Sequence, residues 1–223
     1  MLPLLQVAMQ TSIEHIGCVS YIVFDDMSMC TAEGVACMLP LVSDQRRKQA
    51  LRYQNVFGQF CCLKSYTMLC CLLAEWSSVH SNALSQEDIE ALTCPTFLYN
   101  NHNKPYLSFG PKFSISHCRH AIAAAISEYP VGIDVESVRA YNPALVCKTM
   151  NTEEQALITS SSAPDVVFIR QWTRKEALLK LQGTGIDNDL RDVLTHCDDI
   201  QFYSTENTKK KYVLTIATQQ SLQ

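Results

Sequence analysis

No two of the 11 cysteines in this chain are spaced C-x-x-C, and their number is odd. That excludes a paired disulfide framework and the common zinc patterns. Only two spacings are vicinal, Cys61-Cys62 and Cys70-Cys71. Free, mostly buried thiols in a reducing compartment are expected, which points to the cytoplasm. The N-terminal stretch MLPLLQVAMQTSIEH lacks the basic start of a secretory signal. The apolar run SYTMLCCLLA (65–74) is bounded by Lys64 and Glu75 and is too short to cross a bilayer, so it reads as a buried helix and no membrane association is expected. Low-complexity segments and obvious internal repeats are missing as well. Positive charge is scarce, with 18 Lys and Arg against 22 Asp and Glu. A net charge of -4 provides no global field for nucleic acid. An anionic partner has to be met by a local basic cluster.

What is present is an ordinary globular composition, 47% hydrophobic over 223 residues, long enough for one large domain or two small ones. CVSYIVF (18–24) is branched and aromatic and reads as a strand. SDQRRKQALRYQNVFG (43–58) opens on Ser43 as a plausible N-cap and reads as a helix, followed by a nearly all-apolar helix over 59–76. FSISH and AIAAAIS read as strands, and SEYPVG turns the chain near its midline. Residues 143–161 and 164–182 carry helical periodicity, and IQFYSTENTKKKYVLTIAT reads as two strands around a polar turn. Hairpin-like strand pairs interspersed with helices predict antiparallel sheets and an α+β class.

Two stretches bear chemistry. In VGIDVES (131–137), alternation aims Asp134 and Glu136 at one face and Ile133 and Val135 at the other. Two like charges so close repel unless a positive group stands between them. Taken alone, the pattern also fits a solvated strand edge. In the helix around WTRKEALLKLQGTG, a turn of 100° per residue places Ile169, Trp172, Glu176, Leu179 and Lys180 on one side. An ordinary i,i+4 pair, worth roughly 0.2 to 0.5 kcal/mol, accounts for Glu176 and Lys180 equally well. However, the opposite side of this helix is apolar too, so the helix is largely covered, and buried ions need specific partners. Gly183 and Gly185 then permit close backbone approach. Three acids, Asp134, Glu136 and Glu176, suit a hard cation such as magnesium. His117 at a strand end and the run Arg46-Arg47-Lys48 fit structural or solvated roles as readily as a phosphate site.

The order NKPY (103–106), FSISH (113–117), GIDVE (132–136) and WTRKEALLK followed by GTG (172–185) resembles the 4'-phosphopantetheinyl transferases, in their long, single-chain, surfactin-synthetase-activating type. The resemblance runs from about residue 40 to residue 218. It implies transfer of the phosphopantetheine arm of coenzyme A to a serine hydroxyl of an apo acyl or peptidyl carrier protein. Adenosine 3',5'-bisphosphate would be released. By the same resemblance, Asp134, Glu136 and Glu176 match magnesium ligands, and Lys180 matches the lysine that meets the pyrophosphate. Asp134, Glu176 and Lys180 then form the catalytic set, with Glu176 a candidate base. Ser116 and His117 match the pair near the 3'-phosphate, Lys104 the lysine of the NKP loop, and Arg46 the basic residue of the first-half helix. Arg47 and Lys48 are alternatives to Arg46. Coenzyme A is implied to lie between two α+β halves related by a pseudo-twofold, residues 1–128 and 129–223, in a monomer. Many relatives carry serine at the position of Cys118 and glycine at that of Asn103.

Two rivals compete with this reading. A metal-dependent nuclease would want a lysine two residues after an acid, and neither Glu136 nor Glu176 has one. An inactive relative that only binds carrier proteins would not be expected to keep all three acids and Lys180.

Overall fold

A computed structural model describes residues 12–185, 190–195 and 197–219. In the first half, β1 (Glu14–Ile16) and β2 (Val19–Phe24) are followed by helices α1 (Ala32–Met38), α2 (Asp44–Ala50), α3 (Val56–Val79) and α4 (Gln86–Thr93). A short hairpin of β3 (Leu98–Tyr99) and β4 (Pro105–Tyr106) leads into β5 (Lys112–His117) and β6 (Ile122–Ser127). The second half runs β7 (Val131–Ser137), α5 (Pro143–Thr149), α6 (Thr152–Ser160), α7 (Pro164–Gln182), β8 (Ile200–Asn207) and β9 (Tyr212–Gln219). Every strand pairing among the described residues is antiparallel. One sheet has the order β1-β2-β6-β5 and a second β7-β9-β8, so the architecture is α+β as expected.

Period-two patterning stacks these pieces into layers. Ile22, Phe24, Ile122, Ala124 and Ile126 face the apolar helix α3. The alternate residues Val19, Tyr21, Ala123 and Ala125 meet Ile133, Val135, Leu214 and Ile216 of the second sheet. Helix α7 covers that sheet's other face. The order is therefore helix, sheet, sheet, helix. β5 and β7, the edge strands of the two sheets, are joined by side chains, with the amides of Ile133 and Val135 donating to Ser114 Oγ (3.1 Å) and Ser116 Oγ (3.3 Å). The S-x-S of FSISH thus satisfies two donors of a strand edge that has no strand beside it.

The expected helix over 43–58 is two pieces. Ser43 caps α2, accepting from the Arg46 amide at 3.2 Å, but α2 ends at Ala50. Asn55 then caps a new start by accepting from Gly58 N at 2.7 Å. Helix α3 consequently reaches from residue 56 to 79, longer at both ends than 59–76. At 24 residues it is long and apolar enough to cross a membrane, yet 72% of its most apolar window is buried inside the protein. It is the core helix of the first half. The thiols differ from expectation in another way: all 11 are free, but only Cys61, Cys62, Cys70 and Cys118 are buried. Cys30 and Cys71 are partly buried against the core of the first half, Cys197 is partly buried, and Cys18, Cys37, Cys94 and Cys147 are exposed.

A fully buried lysine fastens the second half. Lys175 Nζ contacts Glu154 Oε2 at 2.7 Å and donates to the carbonyls of Leu190 and Arg191, each at 2.8 Å. All three ammonium hydrogens are used, while Glu154 also caps α6 through the Asn151 amide. Removing one partner of such a pair strands the other. Lys175→Met is expected to lower unfolding free energy by about 3 kcal/mol or more. Denaturant titration should then find the double change Lys175→Met with Glu154→Gln less destabilised than the sum of the two single changes.

Candidate active site

Gly132 decides how near α7 lies to β7. A Cβ at this position would run into the Ala177 carbonyl and lie 2.6 Å from the Leu181 nitrogen. No other residue permits that approach. It brings Glu176 and Lys180 over the strand face that carries Asp134 and Glu136. The positive group required by those two acids is present: Lys180 Nζ lies 2.6 Å from Asp134 Oδ1. Ser116 Oγ donates to the same oxygen at 2.8 Å and accepts from Lys180 at 2.8 Å. The result is a closed triangle of acid, hydroxyl and ammonium from β7, β5 and α7.

Negative charge still outweighs positive here. Asp134 Oδ2 and Glu176 Oε1 are buried without a hydrogen-bond partner. Burial, followed by the charge of Asp134, pushes the Glu176 carboxyl up to about 7, with Glu136 adding and Lys180 opposing. Glu136 is raised too, by burial first and Asp134 next. No group of three or more His, Cys, Asp or Glu is drawn together closely enough to hold a metal ion among the described residues. The chemistry of the donors nevertheless suits a hard divalent cation: β7 and α7 each contribute a buried carboxylate oxygen without a partner, and the charges of Asp134 and Glu136 both act on Glu176.

Because Glu176 has a higher affinity for protons in the folded chain than in the unfolded one, its ionisation opposes folding. The associated stability is fully present below the ordinary glutamate value and is lost as pH rises through about 7. In the presence of a chelator, the melting temperature is expected to fall between pH 5 and pH 8, and Glu176→Gln to flatten that slope. An unchanged slope in the variant would assign the titration elsewhere.

One cavity adjoins the cluster and a second continues from it. The first, about 230 Å³, is lined by His102, Asn103, Lys104 and Pro105 on one side and by Glu176, Lys180, Gly183 and Gly185 on the other. The second, about 220 Å³, is lined by Arg46, Gln49, Tyr53, Tyr99 and His117. Asn103, Pro105 and Ile115 line both, so the cavities meet along the NKP loop and β5. A larger cleft of about 850 Å³ lies between β2 and β8, away from the acids.

The individual candidates occupy distinct places. Ser116 and His117 diverge, as neighbours on a strand must. Ser116 is buried in the acid and lysine cluster, while His117 sits against Phe57 in the second cavity, ring centroids 6.0 Å apart. Partial desolvation and then the Lys180 charge lower the His117 value. Arg46 lines that cavity, but its guanidinium already donates to Cys62 O (2.9 Å), Gln49 Oε1 (2.9 Å) and Ser65 Oγ (3.0 Å). Its neighbour Arg47 donates to Leu39 O, and Lys48 is exposed. Lys104 Nζ donates to the Leu181 carbonyl at 3.3 Å, and burial lowers its value. Asn103 has a φ of +61°, in the left-handed region that asparagine adopts more readily than most residues. Three residues that matter here escaped the sequence reading: Ser114, Asn100 and Lys175. For Lys175 a signal existed, a lysine on the buried side of a covered helix.

Residues 130–222 match the family model of the 4'-phosphopantetheinyl transferase superfamily. Over 104 residues the chain is 31% identical to the 4'-phosphopantetheinyl transferase gsp of Aneurinibacillus migulanus, covering 44% of each. Over 98 residues it is 30% identical to the 4'-phosphopantetheinyl transferase psf-1 of Bacillus pumilus, covering 42% of each. The matched stretch thus spans less than half the length of these curated relatives.

Proposed function

We propose that this chain, which belongs to the 4'-phosphopantetheinyl transferase superfamily, moves the phosphopantetheine arm of coenzyme A onto a serine of an apo carrier protein. The observation that carries this reading is the cluster of Asp134, Glu136, Glu176 and Lys180 at the end of a two-part cavity walled by both halves of the chain. The halves divide near residue 128 and correspond by a pseudo-twofold, each with a sheet and a covering helix. The elongated coenzyme lies across them, with its 3'-phosphate towards His117 and its pyrophosphate towards Lys180.

In the reaction, the carrier's serine oxygen bonds to the phosphorus that bears pantetheine. The bond from that phosphorus to the bridging oxygen breaks, and adenosine 3',5'-bisphosphate leaves with the electron pair. Glu176 Oε1, unpartnered and titrating near neutral pH, takes the serine proton directly or through water. Lys180 offsets charge growing on the leaving group, and Asp134 with Ser116 fixes the direction of its ammonium. Asp134, Glu136 and Glu176 would hold magnesium, which supplies charge neutralisation on the pyrophosphate oxygens. The protein acts as a cytoplasmic monomer on a carrier of fatty acid, polyketide or peptide synthesis.

The test is the intact mass of an apo acyl carrier protein after incubation with this protein, coenzyme A and magnesium, with and without a chelator. A chelator-sensitive gain of one phosphopantetheine arm is expected. No gain on several unrelated carriers, with coenzyme A still bound, would leave a binding protein instead.

A further inference from the structure

The geometry points to Asn100 as a positioning residue that locks the two walls of the first cavity together. This inference rests on reading that cavity as part of the coenzyme A site. Asn100 is half-buried at the turn between β3 and β4. The two ends of its side chain do different things. Oδ1 accepts from the amides of His102 (2.9 Å) and Lys104 (2.8 Å), which closes the turn. Nδ2 donates to the Gly183 carbonyl at 2.9 Å, 83 residues away at the C-terminus of α7.

That carbonyl is available because Gly183 ends the helix in the left-handed conformation, φ +73°. The fit is close: a Cβ at Gly183 would lie 3.1 Å from Asn100 Nδ2 and 3.2 Å from Lys104 Cδ. Lys104 Nζ adds a second tie, to the Leu181 carbonyl. Both contacts fasten the NKP loop, one wall of the cavity, to the end of the helix that carries Glu176 and Lys180 on the other. The width of the cavity therefore depends on a bond between the two halves. Without the Nδ2 bond, the loop remains folded, and among the described residues the Lys104 bond to Leu181 is the hydrogen bond left between it and the end of α7.

The two ends of the side chain can be separated experimentally. Asn100→Asp keeps the acceptor that closes the turn, but it removes the donor and places a carboxylate oxygen against the Gly183 carbonyl. Asn100→Ala removes both functions. If Asn100 positions the walls, both variants raise the KM for coenzyme A about tenfold, as loss of one bond in a shielded site predicts, with a smaller change in kcat. Calorimetric titration with coenzyme A should show the same loss of affinity. Wild-type affinity in Asn100→Asp, with loss only in Asn100→Ala, would reduce the residue to a turn-former and overturn the proposal.

A structural readout independent of coenzyme A is hydrogen exchange. In Asn100→Asp, peptides spanning 98–106 should stay protected, while those spanning 177–185 should exchange faster. Should the wild type neither bind coenzyme A nor modify a carrier, the functional reading fails, and exchange alone decides the lock. Unchanged protection of 177–185 would refute it.

Discussion

Asp134→Asn is expected to lower carrier modification about a thousandfold in a protein that still folds, the scale seen when one preorganised electrostatic group is lost from a reacting site. The side chain is 4% exposed, and its Oδ1 holds both Lys180 and Ser116. Its Oδ2 has no partner. Asparagine keeps the shape and one acceptor but removes the charge that aligns the Lys180 ammonium and attracts a cation. Folding should survive because Lys180 is 29% exposed and can turn towards water, so its charge is not stranded. A second consequence follows from sign. The Asp134 charge is among the causes that raise Glu176, so its removal lowers the Glu176 value. The residual activity should therefore have its rising limb displaced to lower pH. The initial rate of mass gain across pH 6 to 9 checks both points. Activity within tenfold of wild type would remove Asp134 from the reacting centre.

Much of this site was legible because its parts lie within short, regular elements. Alternation along VGIDVES placed Asp134 and Glu136 on one face and Ile133 and Val135 on the other. The inner residues join the inter-sheet core, and Asp134 meets Lys180. The stripe of Trp172, Glu176 and Lys180 followed from helical period alone. Illegible were contacts between residues far apart in sequence. Nothing near Arg46 signals that its guanidinium turns inward to Cys62, Gln49 and Ser65, since RRK looks like a wet helix face. The bond from Asn100 to Gly183 spans 83 residues and leaves no local mark. Helix boundaries failed for a related reason. Residues 51–55 contain no proline or glycine, and the break in the expected 43–58 helix depends on Asn55 acting as a cap, which only the fold selects.

Gly132→Ala should be the most damaging single methyl in the protein, lowering unfolding free energy by about 3 kcal/mol or more, at or beyond the upper end of overpacking costs. Its Cβ would meet the backbone of α7 at Ala177 and Leu181, and backbone inside a helix cannot yield as a side chain does. Either α7 moves off β7 or the strand bows into the opposite layer, where Ile133 and Val135 are already fully buried. Both routes separate Lys180 from Asp134, so loss of activity should accompany loss of stability. A contrasting glycine supplies the control. At Gly58 the new Cβ would meet a side chain and no backbone, 2.7 Å from Cδ1, 2.9 Å from Cγ and 3.1 Å from Cβ of the 45% exposed Tyr53, so that residue has to shift outward. Alanine there also suits the first turn of α3, so Gly58→Ala should shift stability by less than about 1 kcal/mol. Urea unfolding of both variants decides the matter. Similar midpoints for the two would mean that α7 can give way, and that the glycine of GIDVE does not set the distance between the acids and the lysine.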